Sequence, residues 1–236
     1  MYEVIVLGAT FAAAGIAQRY GKKCLILEQK ETAGYEFFGA LCYGSGYEKA
    51  PSRKESAALQ KSLLEGGLYG GDRNIYPCLK AAQVRFRTTL VSVHKKDGFF
   101  LCETHGIDGF VTFDAKKVVD TRTGDAICDT KTYNLLMESP EVPSFPGVLT
   151  EKGYAENHYI LRCPVPLDCS YPQAHQAARR IIAAFGDGQR LIYSADVFDY
   201  QVKNGYPGEE TGILLLPSKS YENPVLAFEA GLEAAI

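Results

Sequence analysis

MYEVIVLGATFAAAGIAQRYGKKCLILE, residues 1–28, decides the fold. Val4–Leu7 is a continuous apolar run of strand length. Gly8 breaks it, Ala12–Tyr20 is Ala-rich and helical, and Gly21 stops that helix. Cys24–Leu27 is a second apolar strand and ends in Glu28. Two fully apolar strands joined by a helix imply a parallel βαβ unit. The loop inside it reads Gly8-Ala9-Thr10-Phe11-Ala12-Ala13. A dinucleotide site wants Gly-x-Gly-x-x-Gly there, with an acid about 20 residues further on. Gly8 supplies the glycine of the tight turn, and Ala13 stands where the pattern allows alanine. Thr10 replaces the glycine that faces the pyrophosphate. Its side chain costs room, but its hydroxyl could donate to a phosphate. Glu28 is spaced to accept from a ribose. The helix N-terminus at Thr10–Ala13 is the expected anion site.

Working outward, a Gly- and aromatic-rich loop spans Gly34–Tyr47. Ser52 and Glu55 have capping-box spacing and open a helix to about Glu65. A second helix is expected over Ile75–Ala82. Val84–Val93, Phe99–Thr104 and Phe110–Phe113 read as three strands separated by turns, an antiparallel meander. Lys117–Asp120 is a further strand, followed by Thr121-Arg122-Thr123-Gly124-Asp125. Residues 140–150 are Pro-rich. His158–Pro164 and Leu191–Gln201 read as strands, with a helix between them capped by Ser170 and ending at Gly186. Gly212–Leu216 is an apolar strand, and Asn223-Pro224 opens a last helix.

The order βαβ, meander, then an apolar strand ending in Asp120-Thr121-Arg122-Thr123-Gly124-Asp125 resembles the two-dinucleotide-binding-domain flavoproteins, of the glutathione-reductase-like Rossmann superfamily. It looks closest to the compact FAD-dependent oxidoreductases, whose corresponding turn is Asp-Ala-Thr-Gly-Asp. This chain is one residue longer there. The closing segment Ala227-Phe228-Glu229-Ala230-Gly231 also resembles that family's last helix, but the Gly-Asp pair that precedes it is missing. The resemblance implies an α/β fold: a Rossmann-type FAD-binding parallel sheet, an antiparallel β-meander crossover and a small α+β substrate-facing insert. It places the FAD-binding part at 1–139 and 211–236 and the insert at 140–210, with no separate nicotinamide-binding domain. It implies FAD as cofactor and hydride transfer from a small organic substrate to flavin N5.

With the opening loop and Glu28, the expected cofactor contacts are Gly8, Ala9, Thr10, Phe11, Ala12, Ala13, Glu28, Gln29, Gly34, Leu90, Val91, Thr121, Gly124, Ser218, Asn223 and Val225. Leu90 and Val91 enter as neighbours of the adenine. Ser218 enters as a replacement for the missing pair. Asn223 and Val225 enter because a helix N-terminus aimed at the flavin would stabilise its reduced anion. His158, Arg162 and Cys42 are the catalytic candidates: a base, a cation for a substrate carboxylate, and a thiol in the loop that approaches the isoalloxazine. Tyr76 and Lys80 match the Tyr-x-x-x-Lys pair of short-chain dehydrogenases, but those enzymes need a long parallel sheet where this chain reads as a meander.

Composition sets the remaining bounds. A net charge of −3 gives no basic field for nucleic acid. The seven cysteines are scattered without any C-x-x-C pair, which leaves no zinc ribbon or dithiol motif and no expected metal site. They read as reduced thiols of a cytoplasmic protein. The apolar N-terminal run lacks a preceding cation and is too short for a membrane span. The expected partner is a small-molecule substrate, with no nucleic acid and no membrane, and a homo-oligomer or partner subunit stays open. Thr10 and the missing Gly-Asp pair favour a rival reading, a non-catalytic flavin-fold binding subunit.

Overall fold

The computed structural model describes residues 1–202 and 208–236, so part of the expected insert, 203–207, lies outside the described residues. The opening unit is β1 (Tyr2–Leu7), α1 (Phe11–Tyr20) and β2 (Cys24–Leu27). After a long loop come α2 (Lys54–Gly66), α3 (Ile75–Leu79) and β3 (Gln83–Arg85). The meander is β4 (Thr89–Lys96), β5 (Phe99–Gly106) and β6 (Gly109–Asp120). The chain continues through β7 (Cys128–Glu138), β8 (Leu149–Lys152), β9 (His158–Val165), α4 (Tyr171–Ile182), β10 (Arg190–Ser194) and β11 (Asp199–Val202). It returns through β12 (Gly208–Glu210) and β13 (Ile213–Leu215) to α5 (Pro224–Glu233).

The first sheet runs β12-β13-β6-β1-β2-β3, with β5 paired to β6 and β4 to β5. β13, β6, β1, β2 and β3 are mutually parallel. Strand alternation divides β1 and β2 between two cores. Val4, Val6, Cys24 and Ile26 face the helices, while Ile5, Leu7, Leu25 and Leu27 face the meander with Phe100, Cys102 and Val118. Each such fully buried Val, Leu or Ile contributes roughly 1.5–3 kcal/mol. On the helix side α1 crosses α5 with no room for side chains. A Cβ at Gly15 would lie 2.0 Å from the Phe228 carbonyl oxygen, and one at Gly231 would lie 2.0 Å from that of Ala12.

The second sheet runs β10-β7-β9-β8, and β11 pairs with the other half of the β7 edge that β10 uses. β7 is its central strand, although no strand is expected there and the segment precedes the expected division at 140. Among the described residues no helix is long and apolar enough to cross a membrane. All seven cysteines are free thiols.

Several expectations need correction. Val84–Val93 is two strands: β3 extends the parallel sheet, the chain turns at Arg87 in the left-handed region (φ 52°), and β4 opens the meander. Conversely, Phe110–Phe113 and Lys117–Asp120 are one strand, β6, which pairs antiparallel with β5 up to Ala115 and parallel with β1 from Ala115 onward. The Ser52–Glu55 capping box does not form. Ser52 donates its N–H (2.8 Å) and its hydroxyl to Glu229 of α5, and α2 starts at Lys54. Leu191–Gln201 divides into β10 and β11, and the link Ala195–Phe198 between them packs toward the cleft described next.

Candidate functional site

The carboxyl ends of β1, β2, β6 and β13 open on one crevice, where open parallel sheets bind ligands. Each strand hands over residues there: Thr10 after β1, Gln29-Lys30 after β2, Asp120 and Arg122–Asp125 from β6 onward, and Pro217 and Lys219 after β13. The facing wall comes from the second sheet, through Tyr171, Asp196–Phe198 and Tyr200. The cleft measures about 690 Å³. A second one of about 910 Å³ shares Gln29, Lys30, Tyr35, Asp196 and Val197 with it.

The β1–α1 turn forms as its sequence requires. Gly8 has φ 93°, a left-handed conformation that glycine adopts without strain. Its missing Cβ leaves room for Arg122, whose Cγ would otherwise lie 2.7 Å away. Thr10 is the N-cap of α1 and accepts from the Ala13 N–H at 3.2 Å. Its hydroxyl proton goes to Thr121 Oγ1 (2.8 Å), and Thr121 in turn donates to the Leu7 carbonyl (2.8 Å). The expectation that Thr10 donates to a phosphate is therefore corrected: its hydroxyl is spent tying β1 to β6.

Two carboxylates bind the backbone of this turn. Glu28 accepts from the Ala9 N–H (2.7 Å) and the Lys30 N–H (2.6 Å) and is 1% exposed. Burial raises its pKa, against the opposing pull of those two N–H groups and of Lys30 and Arg122. Glu36 Oε1 accepts from the Phe11 N–H (2.9 Å) and from the Ser218 hydroxyl (2.8 Å), while Oε2 is buried without a hydrogen-bond partner. Burial lifts the Glu36 pKa to about 7, opposed by the Phe11 N–H, Ser218 and the nearby Lys219. Arg122 lies across Gly8 in a two-pronged pair with Asp120, 2.9 and 2.7 Å.

The other expected residues divide. Thr10, Gln29 and Gly124 line the cleft. Ala12 and Ala13 are buried in the first turn of α1, and the Phe11 ring packs on Phe37 and Phe38. Gly34 (φ 71°) donates to the Ala9 carbonyl, and a Cβ there would meet the Phe11 ring at 2.9 Å. Leu90 packs between the sheet and the meander, and Val91 is exposed at a bulge in β4; neither borders the cleft. Asn223 caps α5 through the Leu226 N–H (2.9 Å) and donates to the Ser45 carbonyl. It and Val225 are each 2% exposed, and Gly44 lies directly against Asn223. The N-terminus of α5 is thus covered by the Gly44-Ser45 loop and does not face the cleft.

None of the three catalytic candidates borders the cleft. His158 lies opposite Glu138 at the start of β9. Arg162 pairs with Asp199 (2.7 Å) and Glu151 (2.7 Å) and reaches Cys42 Sγ at 3.5 Å. Lys219 Nζ lies 2.8 Å from Asp199 and 3.2 Å from Cys42 Sγ. Burial lowers the Lys219 pKa, but Asp199 and Cys42 outweigh it and the net shift is upward. Cys42 is therefore a thiol held between two cations inside the molecule.

Glu36, Lys219 and Arg122 line the cleft and were missed by motif reading, as was Asp199, which holds Lys219 from behind. For Glu36 a signal was present: a single carboxylate in the otherwise uncharged run Gly34-Tyr35-Glu36-Phe37-Phe38-Gly39. Among the described residues no group of three or more His, Cys, Asp or Glu could hold a metal ion.

No sequence family matches the chain, and no curated protein does. Solved structures do. A p-nitrophenol 4-monooxygenase from Pseudomonas putida superposes with a TM-score of 0.64 at 12% identity, over 98% of this chain and 76% of that one. A flavoprotein/dehydrogenase from Cytophaga hutchinsonii gives 0.62 at 12% identity, with the same coverage. Glycine oxidase from Geobacillus kaustophilus gives 0.59 at 15% identity, over 98% of this chain and 92% of that one. This chain therefore shares the α/β fold of that monooxygenase, that flavoprotein/dehydrogenase and that oxidase.

Proposed function

We propose that the chain is a flavoprotein-type oxidoreductase that takes FAD into the cleft at the carboxyl ends of β1, β2, β6 and β13. The observation that carries this reading is the seat at the N-terminus of α1, where a backbone N–H and a serine hydroxyl already converge on one carboxyl oxygen. A helix N-terminus favours negative charge there, which suits a diphosphate. The shared fold with a flavoprotein/dehydrogenase and an oxidase supports the same assignment.

The donors fit a diphosphate, and the Glu36 carboxylate stands where a phosphate oxygen would be received. Phe11 and Ser218 would hold that oxygen, and Gln29, Lys30 and Arg122 border the space beside it. Glu28 holds the turn; it is 1% exposed and outside the cleft lining, and a ribose hydroxyl would have to reach the lone pairs its two oxygens retain. Bound flavin would supply a hydride acceptor for a small organic substrate. The protein would supply position and a cleft wall of Tyr35, Tyr171 and Tyr200.

The two carboxylates already bound to this turn favour a second reading, a flavin-fold binding subunit without catalysis. The test is to add FAD to the purified protein, remove the excess by gel filtration and record the visible spectrum, then add reductant. The oxidoreductase reading expects a retained yellow cofactor that bleaches reversibly. A protein that emerges colourless at every FAD concentration overturns it.

A further inference from the structure

Glu36 does more than line the cleft. It lies eight residues past the ribose-binding position, in the loop that folds back over α1. Its Oε1 receives the Phe11 N–H and the Ser218 hydroxyl, the same pair a bound phosphate oxygen would receive. Its Oε2 receives nothing and is buried. A carboxylate serving only as a structural ligand normally satisfies both oxygens, because a buried acceptor without a donor costs free energy. Glu36 is therefore a half-satisfied occupant of a seat whose two donors meet on one oxygen.

We propose that Glu36 is an internal occupant of the diphosphate seat, and that a nucleotide diphosphate binds by displacing its carboxylate. The proposal rests on the reading that the cleft takes a nucleotide. It adds that the site is gated by a residue of the chain itself.

The charge around Glu36 sets the pH dependence. Lys219, after β13, is the cation that faces it, and Lys219 is itself held by Asp199 of β11 and by Cys42. From the loop after β2, Tyr35 adjoins it; Tyr35 also feels Glu28, Asp120 and Arg122, and burial raises its pKa. From α1 the Phe11 N–H faces the seat, and the Glu36 backbone N–H adds to it in holding the pKa down. Within the neutral range Glu36 is thus the group at this seat that changes charge, since its pKa stands at about 7. Because burial raises its pKa, the seat holds the protonated carboxyl better than the ionised one, and displacement toward solvent lets the group ionise. Affinity should therefore rise as pH rises through that value.

The test uses FAD and ADP-ribose, whose diphosphates keep a constant charge near neutrality. Calorimetric titration of the whole protein at about pH 6 and about pH 8 should show several-fold tighter binding at the higher pH, with net proton release at the lower one. Glu36→Gln, which keeps a neutral occupant in the seat, should bind both ligands as wild type does at the lower pH and lose the pH dependence. Glu36→Ser, which removes the occupant and leaves the Phe11 N–H to water, should bind both ligands about tenfold or more tightly than wild type at the lower pH. If wild type and both variants bind FAD equally at both pH values, the gate is wrong while the nucleotide reading stands. If none of them binds FAD or ADP-ribose, the nucleotide reading and the gate fall together.

Discussion

At the scale of single residues, Glu28 and Glu36 hold the β1–α1 turn by opposite routes to legibility. Glu28 could be read from the sequence because strand, turn and helix fix its distance from Gly8. Glu36 was marked only as a lone carboxylate in an uncharged run, because a long irregular loop carries it back to α1 and no spacing rule covers that return. Glu28→Ala would leave the Ala9 and Lys30 N–H groups without their acceptor. Each such loss costs about 1–3 kcal/mol, so melting should fall by several degrees, and FAD affinity by about ten- to a hundredfold. Unchanged melting and unchanged FAD titration would show that Glu28 holds neither the turn nor a ribose.

Glu36 makes a separate prediction for stability. Its pKa is raised in the folded protein to about 7 from 4.5, so folding opposes its ionisation. Below about pH 4.5 the group is protonated in both states and costs nothing. As pH rises from there to about 7 the unfolded chain ionises first, and the penalty grows to on the order of 3 kcal/mol. The melting temperature of Glu36→Gln should therefore gain on wild type as pH rises through that window. A difference that stays flat from about pH 5 to about pH 8 would mean that Glu36 is not held against ionisation.

At the scale of elements, the helices and parallel strands were largely legible, because apolar runs bounded by Gly, Pro and Asn announce them. β6 was not, because Asp114, Lys116 and Lys117 interrupt its apolar residues and resemble a turn. In the fold they lie at the point where the strand passes from β5 to β1, and Lys116 bonds Glu3 at 3.0 Å. The Ser52–Glu55 capping box failed for a tertiary reason, since Glu229 of α5 offers Ser52 a competing carboxylate. The crossing of α1 and α5 gives the sharpest test at this scale. Gly231→Ala would drive a methyl into the Ala12 carbonyl and force the helices apart. Overpacking of this kind costs about 1–3 kcal/mol, and Gly15→Ala should cost as much. Chemical denaturation midpoints equal to wild type in both variants would contradict so close a crossing.

At the scale of the whole molecule, the cleft exists because two sheets meet over the carboxyl ends of the parallel strands. The cluster of Arg162 on β9, Asp199 on β11, Lys219 after β13 and Cys42 in the long loop ties them together. No motif announces it, because its members lie far apart in the chain. Asp199 carries both cations, and its side chain is 8% exposed. Asp199→Ala would leave two largely buried cations without their shared partner, at a cost of about 3–5 kcal/mol. A melting temperature within a degree or two of wild type would show that the cluster does not hold the sheets together.

The central claim is that a flavin nucleotide occupies the cleft between the two sheets, and hydrogen exchange with and without saturating FAD locates it directly. Slowed exchange should appear at residues 8–14, 29–36, 120–125 and 217–219, where the strand ends line the cleft, and not at β8, which lies on the far edge of the second sheet. Protection confined to other surfaces, or no protection at any FAD concentration, would contradict the account.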